Sequence, residues 1–253
     1  MNSPSALARL ALALILLAGT TLAQSQVDKD QEIARLKAQI ERLNKAAADR
    51  DQLGRYAEAN RRLSPPAPGE YRVVFLGDSI TDGWKLDQFF PGMPYINRGI
   101  TGQITSQMLD RFKADVLDLK PRAVVILAGI NDIARGVDNA VIQNNLEMMY
   151  MLARAGNIRV VPALVLPISD YHKGKDPRYE RSKSLPPERI LVLNRWIKSF
   201  CESKNLTCVD YFKALADEKG FLPADLSSDG LHPNDKGRAK MAPMVTAALD
   251  GKP

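Results

Sequence analysis

The sequence predicts an α/β fold: a three-layer α/β/α sandwich around a parallel sheet of about five strands, preceded by a helical extension. Three observations predict it. The apolar, β-branched runs at 72–76 and 123–127 lack polar alternation, which suits strands covered on both faces. Helical stretches at 105–119, 138–155, 187–204 and 233–249 fall between strand candidates. Strands and helices that alternate in this way imply right-handed crossovers and a parallel sheet.

In chain order, residues 1–23 read as a signal peptide. Arg9 supplies the positive charge, Leu10 to Ala18 the apolar run, and Thr21-Leu22-Ala23 a small-residue cleavage site before Gln24. The run is shorter than the roughly 20 apolar residues of a membrane span. The expectation is an exported protein, periplasmic or secreted, without a stable membrane span once the signal is cleaved. Residues 24–63 form the helical extension. Ile33, Leu36, Ile40 and Leu43 mark one helical face, over fewer heptads than a coiled coil needs. Packing on the main domain and a homodimer through this helix both remain open. The Pro-rich stretch 64–70 reads as a linker, and 71–250 as the main domain.

Inside that domain the run at 160–166 is a third strand, made irregular or placed at an edge by Pro162. Residues 95–97 and 207–210 are weaker strand candidates. Cys201 and Cys208 flank a helix–strand junction, where they can close a disulfide or pack as small apolar residues.

The chain has 253 residues and a formal net charge of +6, spread rather than blocked. With no nucleic-acid motif, this excess suits solubility or loose attraction to acidic polymers, and no nucleic-acid partner is expected. The basic, proline-containing stretch 172–189 reads as a solvated loop. Two histidines and two cysteines make no set at metal-ligand spacing, so no metal is expected.

In open parallel sheets functional groups gather at the carboxyl ends of strands. That rule places Asp78-Ser79, the loop 97–102 and the segment 129–132 on one rim. Ser79 follows a buried strand, where its hydroxyl can be exposed or can simply cap a helix. The string Gly77-Asp78-Ser79-Ile80-Thr81 is not a G-x-S-x-G elbow, because Thr81 stands at the final position. Asp229 and His232 lie three residues apart, so the carboxylate can take the Nδ1 proton and leave Nε2 as a base. Pro233 is expected to start the last helix. Asp78 and Asp132 suit bonding to nearby amides. Trp84 can wall an acyl pocket or fill the core. His172, with no acid at triad spacing, reads as a loop residue.

Gly77-Asp78-Ser79, Gly99, Gly129-Ile130-Asn131-Asp132 and Asp229-Gly230-Leu231-His232 together resemble the ordered blocks of the SGNH (GDSL-type) hydrolases. The resemblance covers about 71–249. It implies a flavodoxin-like sandwich and ester hydrolysis without a cofactor. It further implies Ser79, Asp229 and His232 as catalytic residues, and Ser79, Gly99 and Asn131 as the oxyanion hole. The substrate expected is a small-molecule or glycan ester with a short acyl group, especially acetyl. Alternatives are a lysophospholipase or thioesterase of the same family, or a glycan-binding protein without activity.

Overall fold

The computed structural model describes residues 28–43, 49 and 52–250. The expected signal peptide, and the parts of the extension at 24–27, 44–48 and 50–51, lie outside the described residues. The chain divides into two units, one up to Arg50 and one from Asp51 onward. In the first, residues 28–43 form helix α1, with Ile33, Leu36, Ile40 and Leu43 exposed.

The second unit opens with α2 (Gly54–Arg62) and then builds the α/β body. Strands β1 (Val73–Gly77), β2 (Tyr95–Gly99), β3 (Ala123–Leu127) and β4 (Arg159–Pro162) pair in parallel in the order β2-β1-β3-β4. Every residue of β1 and β3 is buried, which is why their sequences carry no polar alternation. The expected fifth strand is reduced to one parallel bridge, Ala163 to Val209. Its two hydrogen bonds run from the Val209 amide to Pro162 and from the Leu164 amide to Val209. Pro162 has no N–H to extend the ladder, and β4 ends there as an edge strand.

The crossover segments are α3 (Ser79–Asp82), α4 (Leu86–Phe89), α5 (Thr105–Asp110), α6 (Phe112–Asp115), α7 (Ile130–Ala134) and α8 (Asn139–Ala155). After β4 come α9 (Pro187–Lys204), α10 (Tyr211–Leu215) and α11 (Asp235–Asp250). The helix expected over 105–119 is broken at Arg111. Its backbone leaves the helical region at φ −95°, ψ 2°, and its guanidinium turns fully inward. The last helix starts at Asp235, not at Pro233, which instead bridges to Ser227. Asn234 ends that turn by accepting the Gly237 amide at 3.1 Å. Helix α9 stops at Asn205 in the left-handed conformation, a position asparagine tolerates. Cys201, in the last turns of α9, is joined to Cys208 beyond it in a disulfide with Cα atoms 6.2 Å apart.

Trp84 lies in the core, 3% exposed, edge-on to Phe75 and Tyr211 and tilted against Phe90. It is a packing residue, and the acyl-pocket alternative falls.

Candidate active site

The rim at the strands' carboxyl ends holds the residues singled out above. Strand β1 ends at Gly77, and Asp78 caps the short helix α3 by accepting the Ile80 amide at 2.9 Å. Ser79 is the first residue of that helix, so its amide has no acceptor within the helix. The Ser79 hydroxyl lies 2.9 Å from His232 Nε2. His232 Nδ1 lies 2.7 Å from Asp229 Oδ2. Three side chains therefore form one hydrogen-bonded line, with the His232 side chain 39% exposed and open to a substrate.

The Asp229 turn is built to hold this geometry. Asp229 Oδ1 accepts the amides of Leu231 and His232 at 3.0 and 2.8 Å, leaving Oδ2 for the ring. Gly230 adopts φ +78°, and a Cβ there would stand 2.1 Å from the Ser169 carbonyl oxygen. Burial acts to raise the Asp229 carboxyl, but hydrogen bonds from the His232 ring and from the His232 and Leu231 amides outweigh it. They hold the group well below the ordinary carboxylate range. Asp229 is thus ionised wherever His232 can act as a base.

Asn131 lies in the first turn of α7, behind Gly129 at φ +116°. Its side-chain amide donates to the Gln103 carbonyl at 3.0 Å, which leaves its second N–H for a ligand. Gly99 reaches the same rim but is committed elsewhere. Its amide donates to Asn97 Oδ1 at 2.8 Å, and its carbonyl accepts the Tyr56 hydroxyl. A Cβ on Gly99 would meet the Asp82 amide nitrogen at 2.1 Å, so this glycine lets β2 pass α3. Three residues on, Gly102 stands beside the Gln103 carbonyl at φ +80°, and its amide has no partner among the described residues. Sequence reasoning passed over Gly102. A second glycine in the Gly99-Ile100-Thr101-Gly102 string was the available signal.

Asp132 is buried and accepts both the amide and the hydroxyl of Thr105. His172 is buried too, its Nε2 donating to the Ser227 and Ala224 carbonyls at 2.7 and 3.2 Å. It pins the strand of chain that leads to Asp229. Arg181 was also missed, hidden in the basic loop. It donates to the Asp229 carboxylate and carbonyl, and no spacing in the sequence pointed to that contact.

A hydroxyl, an imidazole and a carboxylate in line, with the Ser79 amide next to the hydroxyl, can carry acyl transfer. The model of the GDSL-like lipase/acylhydrolase family matches residues 75–240, a stretch that contains this whole arrangement. The chain belongs to that family. It is a serine ester hydrolase of the GDSL-like group. A GDSL-like lipase from Bacteroides thetaiotaomicron shares its fold with a TM-score of 0.72 and 33% identity, over 79% of this chain and 98% of that one. An acetylxylan esterase from Geobacillus stearothermophilus is 27% identical over 68% of this chain and 90% of its own length. A second acetylxylan esterase, from Xylanibacter ruminicola, is 28% identical over 74% of this chain. The GDSL-like chain matches 45% of that longer protein.

Proposed function

We propose that the protein is an exported esterase that removes short acyl groups, above all acetyl, from carbohydrate through an acyl-enzyme. The observation that carries the mechanism is the continuous Ser79–His232–Asp229 line. Ser79 Oγ attacks the ester carbonyl as His232 Nε2 takes its proton. The imidazolium, held by Asp229, returns that proton to the departing alcohol. Water then attacks the acyl-serine with the same base, releasing the carboxylic acid and free Ser79. Charge on the former carbonyl oxygen is met by the Ser79 amide, the free N–H of Asn131 and the Gly102 amide. Gly102 takes the donor role because the Gly99 amide is already bonded to Asn97.

The acetyl and carbohydrate preference is supported by the two acetylxylan esterases among its relatives. Export is supported by the leader-like first residues and by the Cys201–Cys208 bridge, a bond favoured in oxidising compartments. Among the described residues no helix is long and apolar enough to cross a membrane.

The test is hydrolysis of p-nitrophenyl esters from acetate to palmitate, followed by acetylated xylo-oligosaccharides, with Ser79→Ala beside the wild type. Activity highest on acetate, lost in Ser79→Ala, and extending to the oligosaccharides is the expected result. A maximum at eight carbons or more would replace it with the lysophospholipase or thioesterase reading.

A further inference from the structure

Helix α2 lies outside the stretch matched to the family, yet it reaches the loop that carries Gly102. The Tyr56 hydroxyl donates to the Gly99 carbonyl oxygen. The other side of that peptide group, the Ile100 amide, donates to the Gly77 carbonyl at 3.0 Å. One peptide is thus clamped between α2 and the residue two before Ser79. From it the chain makes a tight turn, the Gln103 amide returning to the Ile100 carbonyl at 3.2 Å with Gly102 at the position that needs positive φ. Where the 99–100 peptide sits therefore decides where the Gly102 amide points.

A parallel tie runs through Asp82. Arg55 lies 3.6 Å from Asp82 Oδ1, and Asp82 Oδ2 accepts the Thr101 amide and hydroxyl at 3.2 and 2.7 Å. Deeper in, Asn60 accepts the Arg98 guanidinium at 2.9 and 2.7 Å and donates to Asp115 at 2.6 Å. Asp115 pairs with the fully buried Arg111, which reaches both the Gly77 carbonyl and the Gln103 side chain. The Arg98 guanidinium also covers the Tyr56 ring, 4.6 Å from its centroid. Burial, then the nearby Asp82, pushes the Tyr56 phenol up, so its hydroxyl stays a donor.

We propose that α2 is a working part of the oxyanion site, with Tyr56 the positioning residue that fixes the Gly99–Ile100 peptide and so aims the Gly102 amide. This rests on the reading above, in which Ser79 is the nucleophile and Gly102 a donor. A structural prop would affect how much enzyme folds. A positioning residue alters turnover at each folded site.

The test is Tyr56→Phe in the full chain, which removes only the hydroxyl. Serine sites are counted with a fluorophosphonate, and kcat per counted site is measured on p-nitrophenyl acetate beside Ser79→Ala. The expected result is a fall in kcat per site of about tenfold with KM within about twofold, since small misplacements in a site are costly. An unchanged kcat per site overturns the positioning role, whatever happens to the melting temperature. Ser79→Ala that still turns over locates the failure in the underlying reading and removes the proposal with it.

Discussion

Arg181 grips Asp229 twice, Nη2 on the carboxylate Oδ2 at 2.6 Å and Nε on the backbone carbonyl at 2.8 Å. The oxygen it shares is the one that receives the His232 ring. A loop that reads from sequence as solvated therefore supplies the last member of a Ser–His–Asp–Arg line.

Removing that grip should loosen the acid and not abolish it, because the Leu231 and His232 amides still hold the other carboxylate oxygen. Arg181→Ala is expected to lower kcat/KM by about tenfold, with Arg181→Lys in between because lysine cannot form the paired contact. Steady-state kinetics on one acetyl ester decide it. Equal activity in all three proteins would make the contact incidental.

If the 99–102 loop supplies an oxyanion donor as proposed, its two glycines should separate stability from turnover. Gly99→Ala puts a methyl group against the Asp82 backbone, and a large loss of stability is expected. At Gly102 there is room for the methyl group, the nearest atom being Arg135 Nη2 at 3.9 Å, but the φ of +80° is strained for alanine. A cost of about 1 kcal/mol is expected there, with a larger loss of kcat. Thermal melts and kcat for both variants test the pair.

Asp78 should make stability fall as pH rises. Complete burial, partly offset by the Ile80 amide, pushes its carboxyl up to about 6. The folded protein thus holds this proton more tightly than the unfolded chain, where the value is about 3.9. The Asp78 contribution is fullest below about pH 4 and is lost as pH rises through about 6, by about 3 kcal/mol in all. Asp78→Asn cannot ionise, so its stability relative to wild type should increase between pH 4.5 and 7.5 in urea titrations. Parallel curves for the two proteins would show that Asp78 ionises freely.

The Cys201–Cys208 bridge closes a short loop, seven residues apart in sequence. A double replacement by alanine is expected to cost about 2–2.5 kcal/mol, the amount chain entropy gives for so small a ring. Comparing the melting temperature of that variant with that of wild type, each with and without reductant, checks it. Reductant should move only the wild type.

The fold was legible where burial is uniform. Strands β1 and β3 are apolar on both faces, and helices α8 and α9 keep their periodicity, so each appears close to where it was expected. Contacts across the fold were not legible. The Val209 strand shrinks to a bridge because a proline on its neighbour lacks an N–H. The helix at 105–119 breaks because Arg111 turns inward to meet Gly77, Gln103 and Asp115. At the site, the motif strings located Ser79, Asn131, Asp229 and His232 on one rim. They carried no sign that the Gly99 amide is engaged by Asn97, which only hydrogen-bond geometry shows. Arg181 and Tyr56 each meet the site from more than forty positions away, a distance over which local pattern carries no information.

The Ser79 hydroxyl and the His232 ring are separated by 153 positions, and α11 follows directly behind the histidine. A fragment ending short of residue 232 lacks the ring that faces the Ser79 hydroxyl. As the chain folds, catalytic competence therefore comes late, after the long-range closure that topology makes slow. An assay of ester cleavage during refolding is consequently a clock for the docking of the segment that carries His232. For an exported protein, the polypeptide would stay inert until its C-terminal end had emerged and settled into place.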